Sequence, residues 1–105
     1  MIQKYKHMTL ADVTEQFRTA AAKAPNLGKT LKFAFDEGVV FLDLSKDEAV
    51  VSNDDSEADC TITTTIETLE GIRSGSINPM MAMMGGKVKI KGDMGLAMQL
   101  QTLLS

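Results

Sequence analysis

Residues 31–44, Leu31-Lys32-Phe33-Ala34-Phe35-Asp36-Glu37-Gly38-Val39-Val40-Phe41-Leu42-Asp43-Leu44, decide the fold class. Leu31, Phe33 and Phe35 alternate with Lys32, Ala34 and Asp36, the period of two that marks a strand with one buried face. Asp36-Glu37-Gly38 supplies a turn, and Val39 to Leu44 return as a second strand. On it Val40, Leu42 and Leu44 face one way, and Val39, Phe41 and Asp43 the other.

Downstream, Ser45-Lys46-Asp47 is a second short turn before a strand around Ala49 to Ser52. Asn53-Asp54-Asp55-Ser56 is an acidic loop, and Ala58 to Thr64 alternates again, with Ala58, Cys60 and Ile62 opposite Asp59, Thr61 and Thr63. Four successive strands on tight turns imply an antiparallel meander. The period then returns to that of a helix. Thr64 or Thr65 can cap it, Thr64 and Glu67 have capping-box spacing, and Ile66, Leu69 and Ile72 form its buried stripe. Ser74-Gly75-Ser76 closes that helix, and Asn78-Pro79 starts a short one that ends at Gly85-Gly86. Val88 and Ile90 alternate with Lys87, Lys89 and Lys91 in a fifth strand. Asp93 then caps a last helix on which Leu96, Leu100, Leu103 and Leu104 align. Upstream, residues 9–24 read as an amphipathic helix with Thr9 as N-cap and Asp12 in the first turn. Pro25-Asn26-Leu27-Gly28 ends it, because proline cannot continue a helix.

One sheet face alternates apolar and the other polar, so the helices should pack on one side. The expected architecture is α+β in two layers: a five-stranded, mostly antiparallel sheet covered on one face by helices. At 105 residues the chain is a single domain, residues 1–105. Its 44% hydrophobic and 24% charged content is ordinary for a globular protein. Less ordinary are eight methionines against four phenylalanines, one tyrosine and no tryptophan, with Met80, Met81, Met83, Met84, Met94 and Met98 close together.

Net charge of −3 argues against the dense basic footprint that nucleic-acid binding needs. The lone Cys60 cannot form an internal disulfide, and no apolar run approaches the roughly 20 residues of a membrane span, so a cytoplasmic protein is expected. Catalysis finds little to work with. His7 stands in the N-terminal tail before the first cap, Cys60 reads as a buried structural cysteine, and one His with one Cys gives no metal-ligand spacing. Asp54, Asp55, Glu57 and Asp59 read as a solvated run. Gly85-Gly86-Lys87 lacks the upstream glycine and the following Ser or Thr of a phosphate loop. Lys87, Lys89 and Lys91 form a local basic strip, either a solvated strand face or a patch for anionic headgroups. The clustered methionines fit gap-filling core or the deformable wall of an apolar ligand site.

Residues 74–98, Ser74-Gly75-Ser76-Ile77-Asn78-Pro79-Met80-Met81-Ala82-Met83-Met84-Gly85-Gly86-Lys87-Val88-Lys89-Ile90-Lys91-Gly92-Asp93-Met94-Gly95-Leu96-Ala97-Met98, resemble the sterol carrier protein type-2 family. The shared pattern is a Gly-x-hydrophobic-Asn-Pro turn, a short helix, a strand with alternating lysines and a Met-containing helix. The resemblance implies an apolar tunnel between sheet and helices that takes fatty acid, acyl-CoA, phospholipid or sterol. It also implies no catalysed reaction and no cofactor. In such folds the C-terminal helix borders the tunnel, which carries over to Met94, Met98 and Leu103.

The expected wall is then Phe33, Phe35, Leu42, Ile62 and Ile90 from strands, with Phe17, Ile66, Leu69, Met81 and Met84 from helices, besides Met94 and Met98. A permanent void of about 300 Å³ would cost roughly 7 kcal/mol. Total stability is only about 5–15 kcal/mol, so the empty protein should narrow its tunnel or keep lipid in it. The expected partners are a lipid-like small molecule and, through Lys87, Lys89 and Lys91, an anionic membrane surface. No nucleic acid is expected, and the chain should be a monomer or weak homodimer. The rival expectation is an interaction or accessory module for lipid or quinone metabolism with a closed pocket, in which Val39 and Phe41 on the outer sheet face mark an interface.

Overall fold

Each helix begins where a short polar side chain satisfies one of the first free backbone N–H groups. A computed structural model describes residues 8–24 and 26–104, the last five of these by backbone alone. His7 and Pro25 lie outside the described residues, as do the side chains of Leu100, Leu103 and Leu104. Helix α1 (Leu10–Ala21) starts from a reciprocal capping box: the Thr9 N–H donates to Asp12 Oδ2 and the Asp12 N–H to Thr9 Oγ1, both at 3.1 Å. It ends at Ala22, earlier than the sequence pattern suggested, in a tightened turn through Ala24.

The hairpin forms in the expected register. Strand β1 (Thr30–Phe35) pairs antiparallel with β2 (Gly38–Asp43), placing Phe33 opposite Val40 and Leu31 opposite Leu42. Strand β3 (Val50–Ser52) adds to the far edge of β2. The next strand corrects the meander. Strand β4 (Cys60–Thr63) does not continue beyond β3; it lies on the other side of β1 and runs parallel to it. The sheet order is β3-β2-β1-β4-β5, with β5 (Lys89–Gly92) antiparallel to β4.

The physical reason lies in the acidic stretch, which is a crossing and not a tight turn. At its start Asn53 Nδ2 donates to Val39 O (2.9 Å) and Thr14 Oγ1 (3.0 Å). At its end Asp59 Oδ2 accepts from the Thr30 N–H at 2.8 Å, while the Asp59 N–H donates to Thr30 Oγ1 at 3.0 Å. That clasp fixes the start of β4 beside the start of β1. In mid-crossing Asp55 meets Lys32 at 2.8 Å. Asp59 and Asp55 are therefore tied down, unlike members of a freely solvated run.

Helix α2 (Ile66–Ser74) is capped by Thr65, whose Oγ1 accepts from the Thr68 N–H. Thr64 is not the cap: its hydroxyl donates to Lys87 O at 2.8 Å, joining the end of β4 to the approach of β5. Helices α3 (Pro79–Met84) and α4 (Met94–Leu104) follow the Asn78 cap and Asp93 as expected, the latter accepting from the Leu96 N–H at 3.1 Å. All four helices contribute to one side of the sheet. There Val13 and Phe17 of α1 bury against Phe33, with the two rings 4.5 Å apart. Phe33, Leu31, Val40, Leu42, Leu44 and Cys60 are the centre of the core.

Candidate functional site

The inner sheet face is filled over β2, most of β1 and the Cys60 end of β4, and left open where Phe33, Ile62 and Ile90 line up across β1, β4 and β5. In the open half a cavity of about 510 Å³ lies between the sheet and the helices. Phe33, Ile62 and Ile90 form its floor, three residues brought side by side by the register of β1, β4 and β5. Leu69 and Ile72 of α2 face it, and Ala97 of α4 closes another side.

The remaining wall is the link from α2 to α3, and its local sequence explains its path. Gly75 ends α2 in the left-handed region at φ 85°, where a side chain would be strained. The chain then folds back on α2 at Gly71. The Ile77 N–H donates to Gly71 O at 3.0 Å, and the Ser74 and Ser76 hydroxyls donate to the same oxygen at 3.2 Å. A Cβ on residue 71 would overlap the Ile77 side chain, so glycine there lets Ile77 turn into the cavity wall. Asn78 Oδ1 then accepts from the Met80 and Met81 N–H groups, and Pro79 opens α3. Met83 and Val88 complete the apolar lining.

The expected wall residues fall into three groups. Phe33, Ile62, Leu69 and Ile90 line the cavity. Phe17, Phe35, Leu42 and Ile66 are buried in the packed core and do not border it. Met81, Met84, Met94 and Met98 face outward, at 67%, 81%, 48% and 67% exposure, and the Leu103 side chain lies outside the described residues. On the six-residue α3 the buried residue is Ala82, at 2% exposure, so Met81 and Met84 fall on its outer side, while on α4 Leu96 and Ala97 take the inner face and Met94 and Met98 the outer one.

Sequence reasoning did not assign Ile72, Met83, Val88 or Ala97 to the wall, and it missed Ile77 and Arg73. Ile77 carried a signal, as an isolated apolar residue inside a Ser-Gly-Ser-x-Asn-Pro linker. Arg73 carried none, because an arginine near a helix C-terminus is ordinary. Here it lines the cavity while its Nη1 bonds Gln16 Oε1 of α1 and lies 3.2 Å from Glu70 Oε2.

Elsewhere the titratable groups serve the frame. Burial, helped by the Asp93 charge, pushes the Cys60 thiol up. The Lys29 ammonium holds the Asp93 carboxyl low, aided by the Leu96 N–H, and Asp93 in turn raises Lys29. Among the described residues no three His, Cys, Asp or Glu groups come together as a metal site, and no helix is long and apolar enough to cross a membrane.

The structure thus defines a two-layer α+β domain with a largely apolar cavity between its mixed sheet and its helices. The chain belongs to the SCP-2 sterol transfer family, which matches residues 10–105. It is 49% identical over 55 residues to sterol carrier protein 2 of Bos taurus, a match covering 52% of this chain and 10% of that protein. The chain thus spans a small part of the curated relatives it matches. Among solved structures it is similar to the apo form of sterol carrier protein 2 from Yarrowia lipolytica, with a TM-score of 0.73, 20% identity and coverage of 89% and 87% of the two chains. Palmitated SCP2L2 from Aedes aegypti gives a TM-score of 0.66 at 21% identity, covering 92% and 95%.

Proposed function

We propose that this chain is a non-catalytic carrier that takes a lipid-like amphiphile into its cavity and releases it unchanged. The observation that supports this most is the cavity itself: about 510 Å³, lined mainly by apolar side chains, within the usual range of about 300–1,000 Å³ for ligand sites. The cavity opens to solvent, so water fills it when no ligand is bound. An acyl chain that replaces the water gains roughly 25 cal/mol for each Å² of apolar surface covered. The palmitated neighbour of the same fold favours an acyl ligand. A thiol as buried as Cys60, with its proton held on, is unsuited to act as a nucleophile.

Loading and unloading take place at an anionic membrane surface. Exposed Met80, Met81 and Met84 of α3 offer apolar side chains to the interface, and exposed Lys87, Lys89 and Lys91 offer charge, against the overall sign of the protein. Vesicles containing phosphatidylserine should accelerate lipid exchange, and a Lys89→Glu, Lys91→Glu variant should abolish that acceleration.

The carrier reading is tested by purifying the protein under native conditions, extracting it and identifying lipids by mass spectrometry, alongside displacement of a fluorescent fatty acid. Co-purified lipid or saturable displacement is expected, with both lost in Ile77→Trp, which fills the cavity. A lipid-free protein that also fails to displace the probe overturns the reading.

A further inference from the structure

The cavity is apolar on all sides but one. Its polar lining, apart from Thr64 whose hydroxyl is committed to Lys87 O, is confined to residues 73–78, and Arg73 is the one charged side chain among the described lining residues. The Arg73 side chain keeps 32% of its surface open to solvent, so the cation stands at the mouth of the cavity, where an arriving head group can reach it. The guanidinium is held from two helices: Nη1 bonds Gln16 of α1 and pairs with Glu70 of α2. Both partners engage the same nitrogen, so among the described residues the Nη2 and Nε donors of the fork are not committed. Asn78 spends its Oδ1 on the cap of α3, which leaves a second donor group, its amide NH2, on this side of the cavity. Ser76 already donates to Gly71 O.

We infer that Arg73 makes the cavity selective for amphiphiles with an anionic oxygen-acid head, a carboxylate or a phosphate, whose apolar tail lies over Ile62 and Ile90. The inference rests on the carrier reading and deepens it by naming the head group. The planar fork suits two acceptor oxygens at once, which a hydroxyl head cannot supply. Glu70 opposes the ligand: at 3.2 Å from Arg73 its carboxylate competes for the same cation, and an arriving anion must share or displace it. Glu70 thereby keeps binding weak enough for release.

The test compares three ligands of equal chain length, palmitic acid, hexadecyl phosphate and hexadecanol, in competition with an uncharged fluorescent alcohol. The wild-type protein should bind one or both anions at least about tenfold tighter than the alcohol, the worth of one hydrogen bond to a charged group. Arg73→Gln should lose that preference, its affinities for the two anions falling to within about twofold of its own affinity for hexadecanol. Arg73→Lys should keep part of it, and Glu70→Gln should raise the ratio of anion to alcohol affinity several-fold. Tighter binding of the acid or of the phosphate identifies which head is carried, and either supports the inference. Equal affinity for all three in the wild type, or a preference untouched by Arg73→Gln, overturns it and leaves the carrier reading standing. Failure of all three to bind overturns both.

Discussion

The two halves of the inner sheet face are built from similar residues and end in opposite states. Over β1 and β2, α1 lowers Val13 and Phe17 onto Phe33, Val40 and Leu42, and all five are at most 2% exposed. Over β4 and β5, Ile62 and Ile90 meet open volume, because α2 turns back through Gly75 and the link to α3 arches over the sheet. Helix α2 shows the contrast within a single stripe: Ile66 is buried core, whereas Ile72 lines the cavity. The difference teaches that apolar content alone does not close a core. The path of the covering chain decides it.

Substitutions should separate the halves most sharply through stability. Phe17→Ala in the filled half should cost about 3–5 kcal/mol, since it removes a ring packed at a tilt against Phe33 and leaves a cavity that neighbours cannot fill. Ile77→Ala in the open half should cost under about 1 kcal/mol, because its side chain already faces free volume, and it should instead loosen the ligand. Urea unfolding of both variants checks this. Similar losses for the two would erase the distinction.

Gly71→Ala sharpens the comparison from the other side. Alanine gains up to about 1 kcal/mol of helix propensity, but its methyl pushes Ile77 towards the cavity. The expected outcome is nearly unchanged unfolding with weaker binding of palmitic acid, read by calorimetry. A variant that is more stable and binds as well as wild type would mean that Ile77 does not shape the cavity.

The smallest effect concerns pH, at the seam where α4 begins. Asp93 is held low chiefly by its hydrogen bond from Lys29, so its contribution is present above the ordinary carboxylate range and is lost as pH falls through its depressed value. Asp93→Asn preserves the cap on α4 but not the charge pairing. Stability of this variant should therefore fall slightly less than wild type below about pH 4, as followed by thermal unfolding across an acid series.

Much of this was legible in the sequence. The alternation in residues 31–44 gave the hairpin and its inward face, and Thr9, Asn78 and Asp93 each placed a helix start. The parallel β1–β4 pair was not legible, because it depends on the Asp59–Thr30 clasp between residues far apart in sequence. The site was half legible. Phe33, Ile62, Leu69 and Ile90 follow from strand and helix periodicity, yet periodicity cannot tell a residue packed solid from one bordering a void, and so Phe17, Phe35, Leu42 and Ile66 looked equivalent to them. Met81, Met84, Met94 and Met98 looked like wall by composition and point outward because Ala82 takes the inner position of α3, and Leu96 and Ala97 the inner positions of α4.

The isoleucines give the most direct measurement. Ile62, Ile72, Ile77 and Ile90 border the cavity, whereas Ile66 sits in the filled core. Methyl NMR of isoleucine-labelled protein titrated with palmitic acid should move the four cavity methyls together and saturably while Ile66 stays near its place. Saturable binding that leaves the four unmoved, or shifts Ile66 as much as they shift, would contradict the assignment of this cavity as the lipid site.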